Sequence, residues 1–192
     1  MKKILASTAL ICALSSSLMA ENDGYFAGLS YAYGSFTDGI SLLGLTGSNA
    51  YTGHRFGLYG GYTDVLDSNL ALRYYGTLDF GTDYTRGSNQ AHYSSINLYA
   101  NADAIYKFLE QDGIAYSVYG GLALGLVNGK YEFRQASTSE TGLGLGINLG
   151  ARINYEAFGS KFSTELYTRT GLIDSVLNGS DSQIGIRTSY LF

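Results

Sequence analysis

The chain has no proline, no tryptophan and a single cysteine, and charged residues make up only 15% of its 192 positions. Each shortage excludes something. An ordinary soluble domain carries roughly 25% charge and about 5% proline, so a wall built for water is not expected. Past the N-terminus no run of about 18 apolar residues occurs, which argues against transmembrane helices. The lone Cys12 cannot build a disulfide framework. The two histidines, His54 and His92, offer no metal-ligand spacing, and no cofactor is expected. No basic patch stands out, so nucleic acid is not an expected partner. Disorder is excluded too, because aromatic residues are 14% of the chain while charge is low.

What the chain does have is 26 glycines and 18 tyrosines. The first residues read as an export signal: Lys2 and Lys3, an apolar stretch from Ile4 to Leu14, and small Ala20 as the last residue before cleavage. We expect residues 1–20 to be a signal peptide that takes Cys12 with it, and residues 21–192 to be the working domain.

That domain alternates with period two, the signature of strands with two chemically different faces. The stretches are Tyr25–Ser35, Arg55–Thr63, Leu70–Phe80, Tyr93–Phe108, Ile114–Val127, Gly142–Tyr155, Lys161–Thr170 and Ser182–Phe192. In the fifth, Ile114, Tyr116, Val118, Leu122, Leu124 and Leu126 oppose Ala115, Ser117, Tyr119, Gly121, Ala123 and Gly125. The links between stretches alternate. Asp64–Asn69, Leu109–Gly113 and Glu156–Ser160 are short, whereas Phe36–His54, Gly81–His92, Asn128–Thr141 and Gly171–Asp181 are longer. Eight strands with short turns at one end and long loops at the other predict an all-β, antiparallel, up-and-down transmembrane barrel. In a soluble eight-stranded barrel the richer apolar face would point inward. Here the second face carries glycine, amides and charges, so the apolar face is expected to meet lipid. A membrane strand cannot lose a ladder donor cheaply, which accounts for the missing proline.

The chain stops at Phe192, preceded at alternate positions by Tyr190, Thr188 and Ile186. This resembles the C-terminal assembly signal of bacterial outer-membrane barrels. The resemblance implies recognition of these four residues by the barrel-assembly machinery. Tyr62, Tyr106, Phe108 and Tyr155 are expected in an aromatic girdle at the periplasmic end, where amphipathic rings settle at headgroup depth. Over residues 21–192 the chain resembles the small eight-stranded outer-membrane proteins of the OmpA/OmpX/opacity type. That implies a barrel alone, with no peptidoglycan-binding domain, located in the outer membrane of a Gram-negative cell with membrane lipid as its surroundings and a monomer as its state.

Eight strands leave an interior that side chains can fill. The inward face carries Arg55, Arg73, Lys107, Arg152, Arg169 and Arg187 against Asp79, Asp103 and Glu165. Depth along the strands predicts Arg73 beside Asp103, and Glu165 between Arg152 and Arg187. Buried charges must be paired, so these five residues are expected to form a polar plug. A narrow porin-like channel is the alternative. A third reading comes from His92 and Ser94, which are similar to the His-x-Ser pair of lipid A 3-O-deacylases and would imply a lipid A-modifying esterase. Ser95 stands where that family has Asn, and no carboxylate partner for His92 is evident, so the chain is not expected to be an enzyme. Asp181 is assigned to an outer loop. The loops, rich in Gly, Ser, Thr, Asn and Tyr, are candidate binders of an extracellular partner.

Overall fold

The computed structural model describes residues 23–38, 51–86, 89–133, 136–174 and 179–192. The expected signal peptide lies outside the described residues, as does most of the link between the first two strands. Eight antiparallel strands follow in chain order: β1 (Gly24–Asp38), β2 (Tyr51–Val65), β3 (Leu70–Arg86), β4 (Asn89–Gln111), β5 (Ile114–Phe133), β6 (Ala136–Ala157), β7 (Ser160–Asp174) and β8 (Gly179–Leu191). Each pairs with its sequence neighbours, and β8 pairs with β1 to close the barrel. Closure removes every sheet edge within the ring, so each backbone donor there can find a ladder partner.

Side chains alternate between wall and interior. On β1, Tyr25, Leu29, Tyr31 and Tyr33 are exposed, whereas Phe26 and Ala32 are buried. On β5, Val118, Leu122, Leu124 and Leu126 are exposed, whereas Ser117, Tyr119, Ala123 and Val127 are buried. The arrangement inverts that of a water-soluble protein. The exterior is a band of Leu, Ile, Tyr and Phe, and the interior holds Arg, Asp, Glu, Asn, Ser and Tyr.

The interior glycines and tyrosines fit one another. Gly150 lies opposite Tyr119 in the ladder, and a Cβ there would come within 2.5 Å of the Tyr119 ring and 2.6 Å of the Leu166 carbonyl. Likewise, a Cβ at Gly144 would sit 2.6 Å from the Tyr99 hydroxyl. Glycine on one strand makes room for a ring from another, and this explains why both residue types are abundant.

The strands differ from expectation at one end, called upper here. Gly81–His92 and Asn128–Thr141 were expected as loops. Instead β3 runs to Arg86, β4 begins at Asn89, β5 reaches Phe133 and β6 starts at Ala136. Above the apolar band both faces of a strand can be polar, so the alternation fades while the backbone ladder continues. The lower end keeps short turns. Asp112 and Gly113 have φ of 54° and 76°, and Phe158 and Gly159 have φ of 55° and 70°. Two successive left-handed residues suit the right-handed twist of a two-residue hairpin. Asp-Gly is a favoured pair there, whereas Phe158 is a bulky residue held at positive φ and is fully exposed.

Candidate functional site in the barrel lumen

The interior charges form three levels. At the lowest, the β3–β4 ladder sets Arg73 directly opposite Asp103, and their side chains meet at 2.7 Å. The β6–β7 and β7–β8 ladders set Glu165 opposite both Arg152 and Arg187. Those guanidinium groups lie 4.0 and 3.7 Å from the carboxylate. The tightest partner of Glu165 is none of its ladder neighbours. It is Arg73, which reaches across the lumen from β3 to β7 and binds it through a direct ion pair and a second hydrogen bond of 3.3 Å. Arg73 therefore bridges two carboxylates, and Glu165 gathers three arginines.

Neutral groups take up the remaining donors and acceptors. Tyr75 donates its hydroxyl proton to Asp103 at 2.9 Å, and Asn148 donates to the other Asp103 oxygen at 3.1 Å. Arg187 donates to the hydroxyls of Tyr75 and Tyr119 at 3.1 and 3.2 Å, with its guanidinium 3.9 Å from the centre of the Tyr167 ring. Arg152 donates to Asn154 and Ser163 at 2.7 and 2.8 Å. Tyrosine faces supply the cations with further electrostatic attraction. Arg73 lies 4.7 Å from the Tyr75 ring centre and 4.6 Å from that of Tyr119.

The middle level centres on Arg169. It pairs with Asp79 at 2.9 Å, donates to Asn148 and Asn101 at 3.1 Å each, and lies over the Tyr99 ring at 4.4 Å. At the upper level Arg55 pairs with Asp181 at 2.7 Å and donates to Ser95 and Gln183, while Asn97 donates to Asp181 at 2.8 Å. All nine of these charged side chains are buried.

One charged residue sits differently from the sequence reading. Asp181 was assigned to an outer loop, yet β8 begins at Gly179 and Asp181 faces the interior. Its parity with Gln183 and Arg187 was the available signal. Lys107 keeps the inward parity expected of it, opposite the buried Ser117 in the ladder, and pairs at the lower rim with the exposed Glu110 at 2.7 Å; the register shift falls after it, before Leu109.

The lower aromatic residues form contacts on the outward wall. Tyr25 meets Tyr62 edge-on at 5.2 Å, and Tyr155 stacks on Phe162 at 6.0 Å. Phe162, Tyr190 and Phe192 continue that row at 5.7 and 5.0 Å. Tyr106, Phe108 and Ile186 are exposed on the same wall. Thr188 also faces outward and donates to the Ser163 carbonyl at 3.2 Å, and the Phe192 amide donates to the Tyr25 carbonyl at 2.9 Å. The backbone register sets His92 opposite Glu132 and Ser94 opposite Lys130, while the His92 side chain lies outside the described residues. Glu132 itself is paired with Lys130 at 2.5 Å. Among the described residues no cluster of His, Cys, Asp and Glu could hold a metal ion.

No protein-family model matches the chain, and no curated protein matches it in sequence. Its fold is similar to that of Neisserial surface protein A, with a TM-score of 0.56 at 15% identity, covering 88% of this chain and 97% of that one. It is also similar to Ail, the attachment invasion locus protein of Yersinia pestis, with a TM-score of 0.53 at 16% identity, covering 89% of this chain and 99% of that one. At these identities the likeness is one of fold, and the fold is the small eight-stranded outer-membrane barrel.

Proposed function

We propose that this chain is a monomeric outer-membrane barrel whose lumen is closed by the network around Glu165, and whose role is structural or one of surface interaction. The inverted polarity of the wall supports the location: exposed leucine and isoleucine are favourable in hydrocarbon and costly in water. The observation that carries the closed lumen is the direct bridge from Arg73 to Glu165 across the interior. Removing an ion held by such a bridge leaves an unpaired buried charge, so the contact resists opening. A narrow pore would need that bridge to part and stay parted.

The role at the surface falls to the upper strand extensions and the links they carry. Their Ser, Thr, Glu and Lys side chains suit a solvated binding surface, and no motif names the partner. Catalysis is not part of the reading, because a Ser94 nucleophile would stand opposite Lys130 in the ladder and Ser95 stands where the deacylase pattern has Asn.

Planar-bilayer conductance of the folded full chain tests the closed lumen. We expect no large steady openings in the wild type and frequent openings in Glu165→Ala. Large, steady channels in the wild type would sink the plug and favour the pore. A lipid A deacylation assay tests the exclusion of catalysis: Ser94→Ala is expected to leave acylation as it is in the wild type, namely unprocessed.

A further inference from the structure

The outward wall carries one polar arrangement that the lumen does not explain. It lies on β1 and β2 near their upper ends, where Tyr33 and His54 are ladder partners. His54 is exposed, and its Nδ1 shares a hydrogen bond of 2.7 Å with the Tyr31 hydroxyl. The Tyr31 ring also stacks on the imidazole, 5.9 Å between centres and 17° from parallel. Tyr33 meets the same ring edge-on at 5.8 Å. Phe56 closes the cluster from below, 5.1 Å from Tyr31.

Two contacts therefore fix the plane of the imidazole, and the phenol occupies one of its nitrogens. Nε2 has no hydrogen-bond partner among the described residues. When Tyr31 donates to Nδ1 of the neutral ring, the ring proton sits on Nε2. When the ring is protonated, Nε2 again carries a proton. In both of these states the exposed ring carries a donor at Nε2.

The depth of this donor is set by its neighbours. One rung below, outward residues are Tyr31, Phe56 and Ile186. One rung above, Ser35 and Thr52 are ladder partners. The wall changes from rings to hydroxyls across His54, as expected where hydrocarbon gives way to headgroups. On β8, β1, β2 and β3, no Lys, Arg, Asp or Glu has outward parity between the rung of His54 and that of Tyr62 among the described residues. From its rung down to that of Tyr62, His54 thus has no charged neighbour on this part of the wall among the described residues. The β2–β3 ladder also shifts register between Thr52 and His54, and such bulges re-aim side chains.

We propose that His54, held by Tyr31 and Tyr33, is a binding site for the phosphate of a membrane lipid headgroup. A phosphate oxygen accepts a hydrogen bond from Nε2–H, and that bond becomes charge-assisted when the ring is protonated. Thr52, half-buried one rung above, lies on the headgroup side of the same spot. The site rests on the outer-membrane reading above, and the test separates the two.

The test uses the full chain folded in octyl-glucoside micelles, which contain no phosphate. Heat-modifiable gel mobility reports the folded barrel before any lipid is added, so loss of the barrel reading shows there first. The histidine ring signals are followed by NMR, with His92→Gln assigning His54. Dihexanoylphosphatidylglycerol, dihexanoylglycerol and inorganic phosphate are then titrated separately. The phosphatidylglycerol should shift the His54 signals to saturation while the uncharged diacylglycerol leaves them in place. Inorganic phosphate should act only at about tenfold higher concentration, because it lacks the chains that bring the headgroup to the wall. Tyr31→Phe, which keeps the ring and loses the hydroxyl, should weaken the lipid response by about three- to tenfold. An equal response to diacylglycerol, or none to phosphatidylglycerol, overturns the site. Equal response to inorganic phosphate overturns the headgroup as its occupant.

Discussion

The same eight strands present two walls, and the walls obey opposite rules. The inner wall is polar and densely connected. Its arginines each hold several partners, and Glu165 alone gathers Arg73, Arg152 and Arg187. The outer wall is apolar and sparsely connected, with Leu122, Leu143 and Leu149 half or more exposed. One residue of shift along a strand would exchange the two sets, so register is specified by both solvents at once. The lesson is that burial and hydrophobicity separate in this fold. Inside, specificity comes from pairing charges. Outside, the requirement is only to carry no charge, and shape matters little.

The sharpest way to break this contrast is to remove its inner anchor. Glu165→Ala leaves three buried arginines around an empty carboxylate position. The cost should be about 3–5 kcal/mol, read from urea unfolding followed by the β-sheet circular dichroism signal, since the chain has no tryptophan. A cost below that of an outer-wall leucine truncation would show that the network is not an anchor. The outer wall is broken by adding what it lacks. Leu149→Arg puts a charge in the middle of β6 facing outward, with an expected cost of about 2–4 kcal/mol in vesicles. The same change in a water-facing wall would be nearly silent, so the measurement also tests which solvent is outside.

Packing inside the inner wall gives a smaller effect. Gly150→Ala places a methyl group against Tyr119 and the Leu166 carbonyl, and should cost about 1–3 kcal/mol in the same unfolding experiment. The smallest change concerns neither wall. Phe158 holds a left-handed conformation at the β6–β7 turn, and Asn is at home there. Phe158→Asn should stabilise the barrel by about 1 kcal/mol, seen as a higher unfolding midpoint with an unchanged slope.

Much of this was legible because period-two alternation reports the face of each residue directly. It assigned Arg73, Asp103, Arg152, Glu165 and Arg187 to the interior, and counting depth along neighbouring strands brought them to the same level. It failed in two places, each for a physical reason. Asp181 was missed because the strand was started at Ser182, three residues after β8 begins. The upper strand extensions were read as loops because a strand with water on both sides carries no alternation.

By itself, then, the sequence determined the number of strands, their inner and outer faces, and the pairs that sit side by side in the ladder. These are local quantities, set by a repeat of two residues and by the order of the strands. Only the tertiary structure decided which groups meet across the lumen and what surrounds a residue on the wall. Arg73 could have remained with Asp103 alone. Closure of the ring brings β3 within reach of β7, and a buried carboxylate with three arginines in range takes the one whose geometry is best. The clasp of Tyr31 and Tyr33 on His54 was likewise decided by packing. Alternation puts all three on one face, and only the side-chain arrangement shows that the phenol holds one nitrogen of an exposed ring and leaves the other without a partner among the described residues.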